Sequence, residues 1–260
     1  IVPISLAELF LVLIMIVSIA FIVITIVKPR LIVNNIKFIL HCVFRTLGLA
    51  YILFYFLWGF NYYRENYMDL AGMNYEPASI KDLGALAYEI IIKMNDIRIT
   101  LEEDEDGQIL LNDSFYELNE QAQIGFDNFQ IGNVDLSGNY ARAKPIFLSK
   151  WMSYTGITGI YFPYTTEPNV NMDIPKAIIP ATLSHEIGHQ RGFAKEEEAN
   201  FIAYKASINN PDKRFQYSGY YLAFQYLMGE IYKIEQDVYD FLYSIANDAV
   251  KRDMQGNYDN

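Results

Sequence analysis

The sequence predicts a mostly helical α+β protein, with two membrane-spanning helices at its N-terminus and a domain with a small β-sheet behind them. Three observations lead there. Two long apolar runs fall before residue 61. Beyond them, apolar residues recur at steps of three and four along several stretches, the helical period. Only Pro145–Ser149 and Gly159–Pro163 read as short strands, with Ser153–Gly159 supplying turn residues between them. The boundary is placed at residue 64, with residues 1–64 as anchor and residues 65–260 as one domain.

The first span is placed at residues 6–27. About 20 helical residues cross about 30 Å of hydrocarbon. A cleaved signal peptide has a shorter apolar region followed by small residues, whereas Lys28-Pro29-Arg30 follows here. The second span is placed at residues 38–60, with His41 and Arg45 in its first turns reaching toward headgroups. The intervening connection, Lys28–Lys37, carries Lys28, Arg30 and Lys37 and no acid. The positive-inside rule sets it in the cytoplasm. The chain is thus expected to be a multi-pass cell-membrane protein whose domain lies outside the cytoplasm, in contact with membrane lipid. Trp58, Tyr62, Tyr63 and Tyr67 fit an interfacial aromatic belt. The alternative for Trp58–Arg64 is a wall of a cleft.

Composition narrows the function. The net charge of −11 argues against nucleic acid as a partner. The single cysteine, Cys42, excludes an internal disulfide and a cysteine-based metal site. The chain opens on Ile and ends in Gln255-Gly256-Asn257-Tyr258-Asp259-Asn260 with no evident element, so it reads as a piece of a longer protein. Ser79–Arg98 and Asp113–Phe129 read as helices. The acidic run Glu102–Gly107 reads as a solvated loop. A calcium loop would begin with Asp and carry Glu at its twelfth position, where this chain has Glu102 and Asp113. Thr165–Pro175 reads as an irregular loop, and helices run from Glu196 to about Arg252.

The chemistry concentrates in Ser184–Phe193. Two of the three histidines stand there, in His185-Glu186-Ile187-Gly188-His189. Residues four apart share a helix face, so both imidazoles can bind one Zn²⁺. Glu186 follows the first histidine, where zinc peptidases keep their general base. Pro180 suits a first helical turn and Gly192 the residue just past the last. The third ligand is sought among Glu196, Glu197 and Glu198. Glu196 shares a face with Asn200, which can hydrogen-bond a ligand histidine. Glu198 is the alternative, sharing its face with Ile202, and Glu197 shares one with Phe201. A strand ahead of this helix can pair with an extended peptide, or be a plain hairpin.

His185–Ala194, followed by Glu196-Glu197-Glu198-Ala199-Asn200-Phe201, resembles the signature of a bacterial membrane family known as domain of unknown function 3810. Trp58–Arg64 and Tyr161-Phe162-Pro163-Tyr164-Thr165 resemble further blocks of it. The resemblance implies a membrane-anchored zincin-like protein and supplies no substrate. Glu-x-x-Ala-Asn is also similar to the second-helix motif of gluzincins, which usually carry Asp where this chain has Asn200. The expected function is zinc-dependent hydrolysis of a peptide or protein. Glu186 is the expected base, His185, His189 and Glu196 the ligands, and Tyr161, Tyr164 and Arg64 the candidate substrate or oxyanion contacts. The competing expectation is an inactive zincin-like scaffold or sensor that binds a protein partner at the membrane.

The topology is directly checkable. A reporter active only outside the cytoplasmic membrane should work when fused near Asn112. Signal from a cytoplasm-only reporter at that site would reverse the orientation.

Overall fold

The computed structural model describes residues 4–73 and 76–256; the final residues 257–260, read above as lacking an element, lie outside them. Helix α1 (Leu6–Val27) starts where Ser5 Oγ accepts the Glu8 N–H at 3.1 Å. Helix α2 (Pro29–Leu57) follows after Lys28 alone. Pro29 is pre-set for a first helical turn, so the stretch read as a connection is helical and the second apolar helix begins at 29 rather than 38. It ends at Leu57, before a 3₁₀ turn over Gly59–Tyr63. Both helices are long and apolar enough to cross a membrane, with mean hydropathies of 3.3 and 1.6.

The start of α1 and the C-terminal half of α2 meet the rest of the chain. Glu167 Oε2 accepts the free N–H groups of Leu6 (3.0 Å) and Ala7 (3.3 Å) at the start of α1. The Tyr164 hydroxyl donates to the Ala50 carbonyl of α2 at 3.0 Å. The Phe10 and Phe162 rings meet at 5.9 Å.

Helix α3 (Tyr67–Ala71) precedes α4 (Ile80–Arg98) and α5 (Phe115–Asp127). Both longer helices start in reciprocal capping boxes, Ser79 with Asp82 and Ser114 with Glu117. The acidic run between them is a turn. Asp104 there accepts the backbone N–H groups of Asp106 and Gln108 and pairs with Lys176 at 3.1 Å.

Strands β1 (Gln130–Ile131) and β2 (Val134–Asp135) form a minimal hairpin. A three-stranded sheet follows from β3 (Lys144–Pro145), β4 (Gly159–Phe162) and β5 (Glu167–Val170), in the order β3-β5-β4. Here two expectations fail. Extended pairing at 145–149 stops at Pro145, and Ser149 opens a short helix, α6 (Ser149–Ser153). The stretch read as a loop, Thr165–Pro175, contains the central strand. Pro168 and Asn169 argue against a strand by composition, but all four β5 residues are buried and pair with β4, and Asn169 and Val170 also pair with β3.

Helices α7 (Ile179–Gln190), α8 (Glu196–Ile208), α9 (Lys213–Ile234), α10 (Gln236–Ile245) and α11 (Asp248–Gln255) follow among the described residues. One apolar core joins α5, β5, α7 and α8 around Leu183, Ile187 and Phe193. A second joins α4, α9, α10 and α11 around Ile91, Tyr221 and Val250.

The second core contains a buried charge cluster. Asp253 accepts from Arg98 Nε at 2.6 Å, the Tyr217 hydroxyl at 2.6 Å and the Ile109 N–H at 2.9 Å. Burial and the Asp253 charge push the Tyr217 phenol well above its usual pKa, which keeps it a donor. Asp253→Ala leaves the buried Arg98 guanidinium with only the partly exposed Glu103 and the Gly107 carbonyl, and the expected loss of stability is about 3–5 kcal/mol. Tyr217→Phe removes one bond to a charged acceptor, with an expected loss of about 1.5–3 kcal/mol. Denaturant unfolding of both variants measures this; equal losses would contradict the assignment of Asp253 as the hub.

Candidate metal centre

Helix α7 is buried along nearly its whole length. It ends in a left-handed glycine cap. Gly192 has φ +92°; its N–H donates to His189 O at 2.8 Å and the Phe193 N–H donates to Gly188 O at 3.3 Å. This is the Schellman pattern, and a side chain at that φ is strained. The cap turns the Phe193 carbonyl back onto the helix, where it accepts from His189 Nδ1 at 2.7 Å. A carbonyl can only accept, so His189 carries its proton on Nδ1 and offers Nε2 as a lone pair.

His185 is held the same way. Its Nδ1 lies 2.8 Å from Asn200 Oδ1 on α8, and Asn200 Nδ2 donates to the Tyr226 hydroxyl at 2.7 Å. Helix α8 packs against α7 here, with Ala199 and Ile202 beside Gly188. Helix α8 therefore delivers Glu196, its first residue, to both imidazoles. Glu196 Oε2 is 3.2 Å from His185 Nε2, and Oε1 is 3.5 Å from His189 Nε2. The two rings stand nearly perpendicular at 4.6 Å.

The residues fit a tetrahedral zinc ion. Ligand atoms about 2.0–2.1 Å from one ion sit about 3.3 Å apart, close to the separations from Glu196. All three ligand atoms fall within 4.8 Å of one another. Burial, and then the nearby His185, push the His189 pKa down, which favours the neutral, ligating form. Hydrogen bonding to His185 pulls the Glu196 carboxyl down, which favours the carboxylate. Of the other two acids, Glu198 accepts the Tyr67 N–H at 3.2 Å and pairs with Lys195, and Glu197 is exposed.

Glu186 lies beside this cluster. It is 3% exposed, and its Oε2 has no hydrogen-bond partner among the described residues. Gly159 of β4 backs onto it so closely that a Cβ there would collide with the carboxyl group. Burial, and then the charge of Glu196, raise the Glu186 pKa well above the usual carboxylate range. An unpartnered buried carboxyl oxygen is costly, and this one borders an open cleft of about 610 Å³ together with His185, His189 and Glu196. Strand β4 forms one wall of that cleft, Leu222 and Tyr226 of α9 another, and Trp58 and Tyr62 a third.

Three expected contacts separate here. Tyr161 lines the cleft, 4.8 Å from the Trp58 ring, and burial raises its pKa so that it stays protonated. Tyr164 does not line it, because its hydroxyl is engaged by α2. Arg64 does not either. Its Nη1 donates to Arg191 O at 2.8 Å and its guanidinium lies 4.4 Å over the Phe193 ring, so it braces the C-terminal end of α7, where cations are favoured. The aromatic belt also divides: Tyr62 and Tyr63 are exposed, while Trp58 packs 5.6 Å from His189 and Tyr67 enters the core. Tyr226 carried no signal in the sequence, being one of 21 tyrosines on a helix rich in them.

No curated protein and no solved structure matches the chain. A family model matches all of it, over residues 1–260. The chain accordingly belongs to the family described as Protein of unknown function (DUF3810).

Proposed function

We propose that this chain is a membrane-anchored zinc metallopeptidase, with residues 1–64 as a two-helix anchor in the cell membrane and residues 65–260 as a zincin-like domain outside the cytoplasm. The observation that carries the reading is the convergence of His185 Nε2, His189 Nε2 and the Glu196 carboxylate beside a buried Glu186 whose Oε2 has no partner among the described residues. A zinc ion held there would polarise a scissile carbonyl and acidify a water.

The chain's own residues have distinct tasks. Asn200 and the Phe193 carbonyl orient the imidazoles through their Nδ1 protons. Glu186, as carboxylate, takes the proton of the attacking water and later gives it to the leaving amine. Its raised pKa is the direction needed by a base that must release the same proton as an acid. Tyr226 receives the Asn200 amide hydrogen on its oxygen, so its own proton is available to a developing oxyanion. Tyr161 is the second candidate for that role. Among the described residues strand β4 pairs with β5 on one side only, and it lines the cleft, so its outer edge can hold an extended peptide by main-chain bonds.

Glu186→Gln keeps the shape and removes the base. Hydrolysis of a peptide mixture by the purified chain is expected to fall by about 10²–10⁴-fold, with bound zinc retained. Undiminished turnover would refute the role of Glu186. The ligand set is tested separately by zinc affinity in chelator competition. Glu196→Ala should lose tight binding and Glu198→Ala should keep it; the reverse result would move the third ligand to Glu198.

A further inference from the structure

The segment joining β3 to β4 and the start of β4 expose large apolar side chains in succession: Phe147 (91% exposed), Trp151 (72%), Tyr154 (75%), Ile157 and Ile160. In a water-facing loop these side chains would be a liability. The surrounding sequence is also unusual for this chain. No acid occurs between Lys144 and Thr166, although the chain has 31. Trp and Tyr with a nearby lysine, here Lys150, are the residues that settle at headgroup level.

The position of the segment is fixed against α1. Glu8, in the first turn of that helix, accepts the N–H groups of Phe147 (2.9 Å) and Leu148 (3.0 Å). The 22 residues of α1 make a rod of about 33 Å, hardly longer than the hydrocarbon core of about 30 Å. If α1 crosses a membrane, its first turn lies at the boundary, and so does whatever Glu8 holds. Phe162, at the far end of β4, touches Phe10, two residues or about 3 Å further along the same helix.

We infer that Phe147–Ile160 dips into the lipid interface of the membrane that α1 crosses, and so seats one rim of the cleft on the bilayer surface. The inference rests on reading α1 and α2 as membrane spans. Ile157, Thr158, Gly159 and Ile160 belong both to this segment and to the cleft wall, so the cleft opens at the membrane surface.

Tryptophan fluorescence tests this without any activity assay, because the chain has two tryptophans. Trp58 is 8% exposed and Trp151 lies on the proposed rim. The whole chain is reconstituted in phosphatidylcholine vesicles containing lipids brominated near the carbonyl end of the acyl chain. Bromolipid should quench a large part of the emission, and Trp151→Phe should lose that quenched part. Two results overturn the inference alone: a Trp151 component quenched by aqueous acrylamide but not by bromolipid, or one shielded from both, which would mean a protein covers the rim. A chain that fails to float with the vesicles overturns the membrane reading and this inference together.

Discussion

The left-handed turn at Gly192 is the constraint on which the site depends. It ends α7 at the residue pair that matters, satisfies the last carbonyls, and sends the chain into α8 within a few residues. Three consequences follow from that one backbone conformation. The Phe193 carbonyl supports His189. The Phe193 ring supports Arg64, which in turn braces the Arg191 carbonyl. Glu196 arrives at the histidines while still in the first turn of its own helix, where a carboxylate also satisfies the helix dipole. A longer or looser connection would leave two histidines on a buried helix with no acid to meet them.

The packing around that turn sets the electrostatics. Two glutamates lie close together in opposite environments. Glu196 is largely exposed and hydrogen-bonded to His185, which lowers its pKa. Glu186 is buried against β4, its Oε2 has no hydrogen-bond partner among the described residues, and burial and then the Glu196 charge raise its pKa. Pairs of carboxyls whose surroundings push their pKa values apart divide the labour of binding and proton transfer. The contrast in pKa here comes from ordinary burial: Leu183 and Ile187 hold α7 in the core, and Gly159 permits β4 to lie against Glu186.

Much of this was legible because it is local. The first apolar helix runs over Leu6–Val27 as composition indicates, and the apolar steps of three and four along Ser79–Arg98 fall on one helix, Ile80–Arg98. The four-residue spacing of His185 and His189, and of Glu196 and Asn200, describes helix faces and needs no tertiary knowledge. What stayed hidden is set by long-range contact. Strand β5 is a strand because both its edges are paired, against the preference of Pro168 and Asn169. Arg64 and Tyr164 carry hydrogen-bonding groups suited to a substrate, yet each is bound by a partner more than 100 positions away. Tyr226 reaches the cluster only because α9 packs on α8.

The central claim is that the two Nε2 atoms and the Glu196 carboxylate hold a zinc ion. Anomalous diffraction from crystals of the purified chain, collected on either side of the zinc absorption edge, tests it most directly. The account predicts one peak about 2.0–2.1 Å from both His185 Nε2 and His189 Nε2, with Glu196 as the third protein ligand. A zinc-replete crystal with no peak at that position, or with Glu196 turned away from it, would contradict the account.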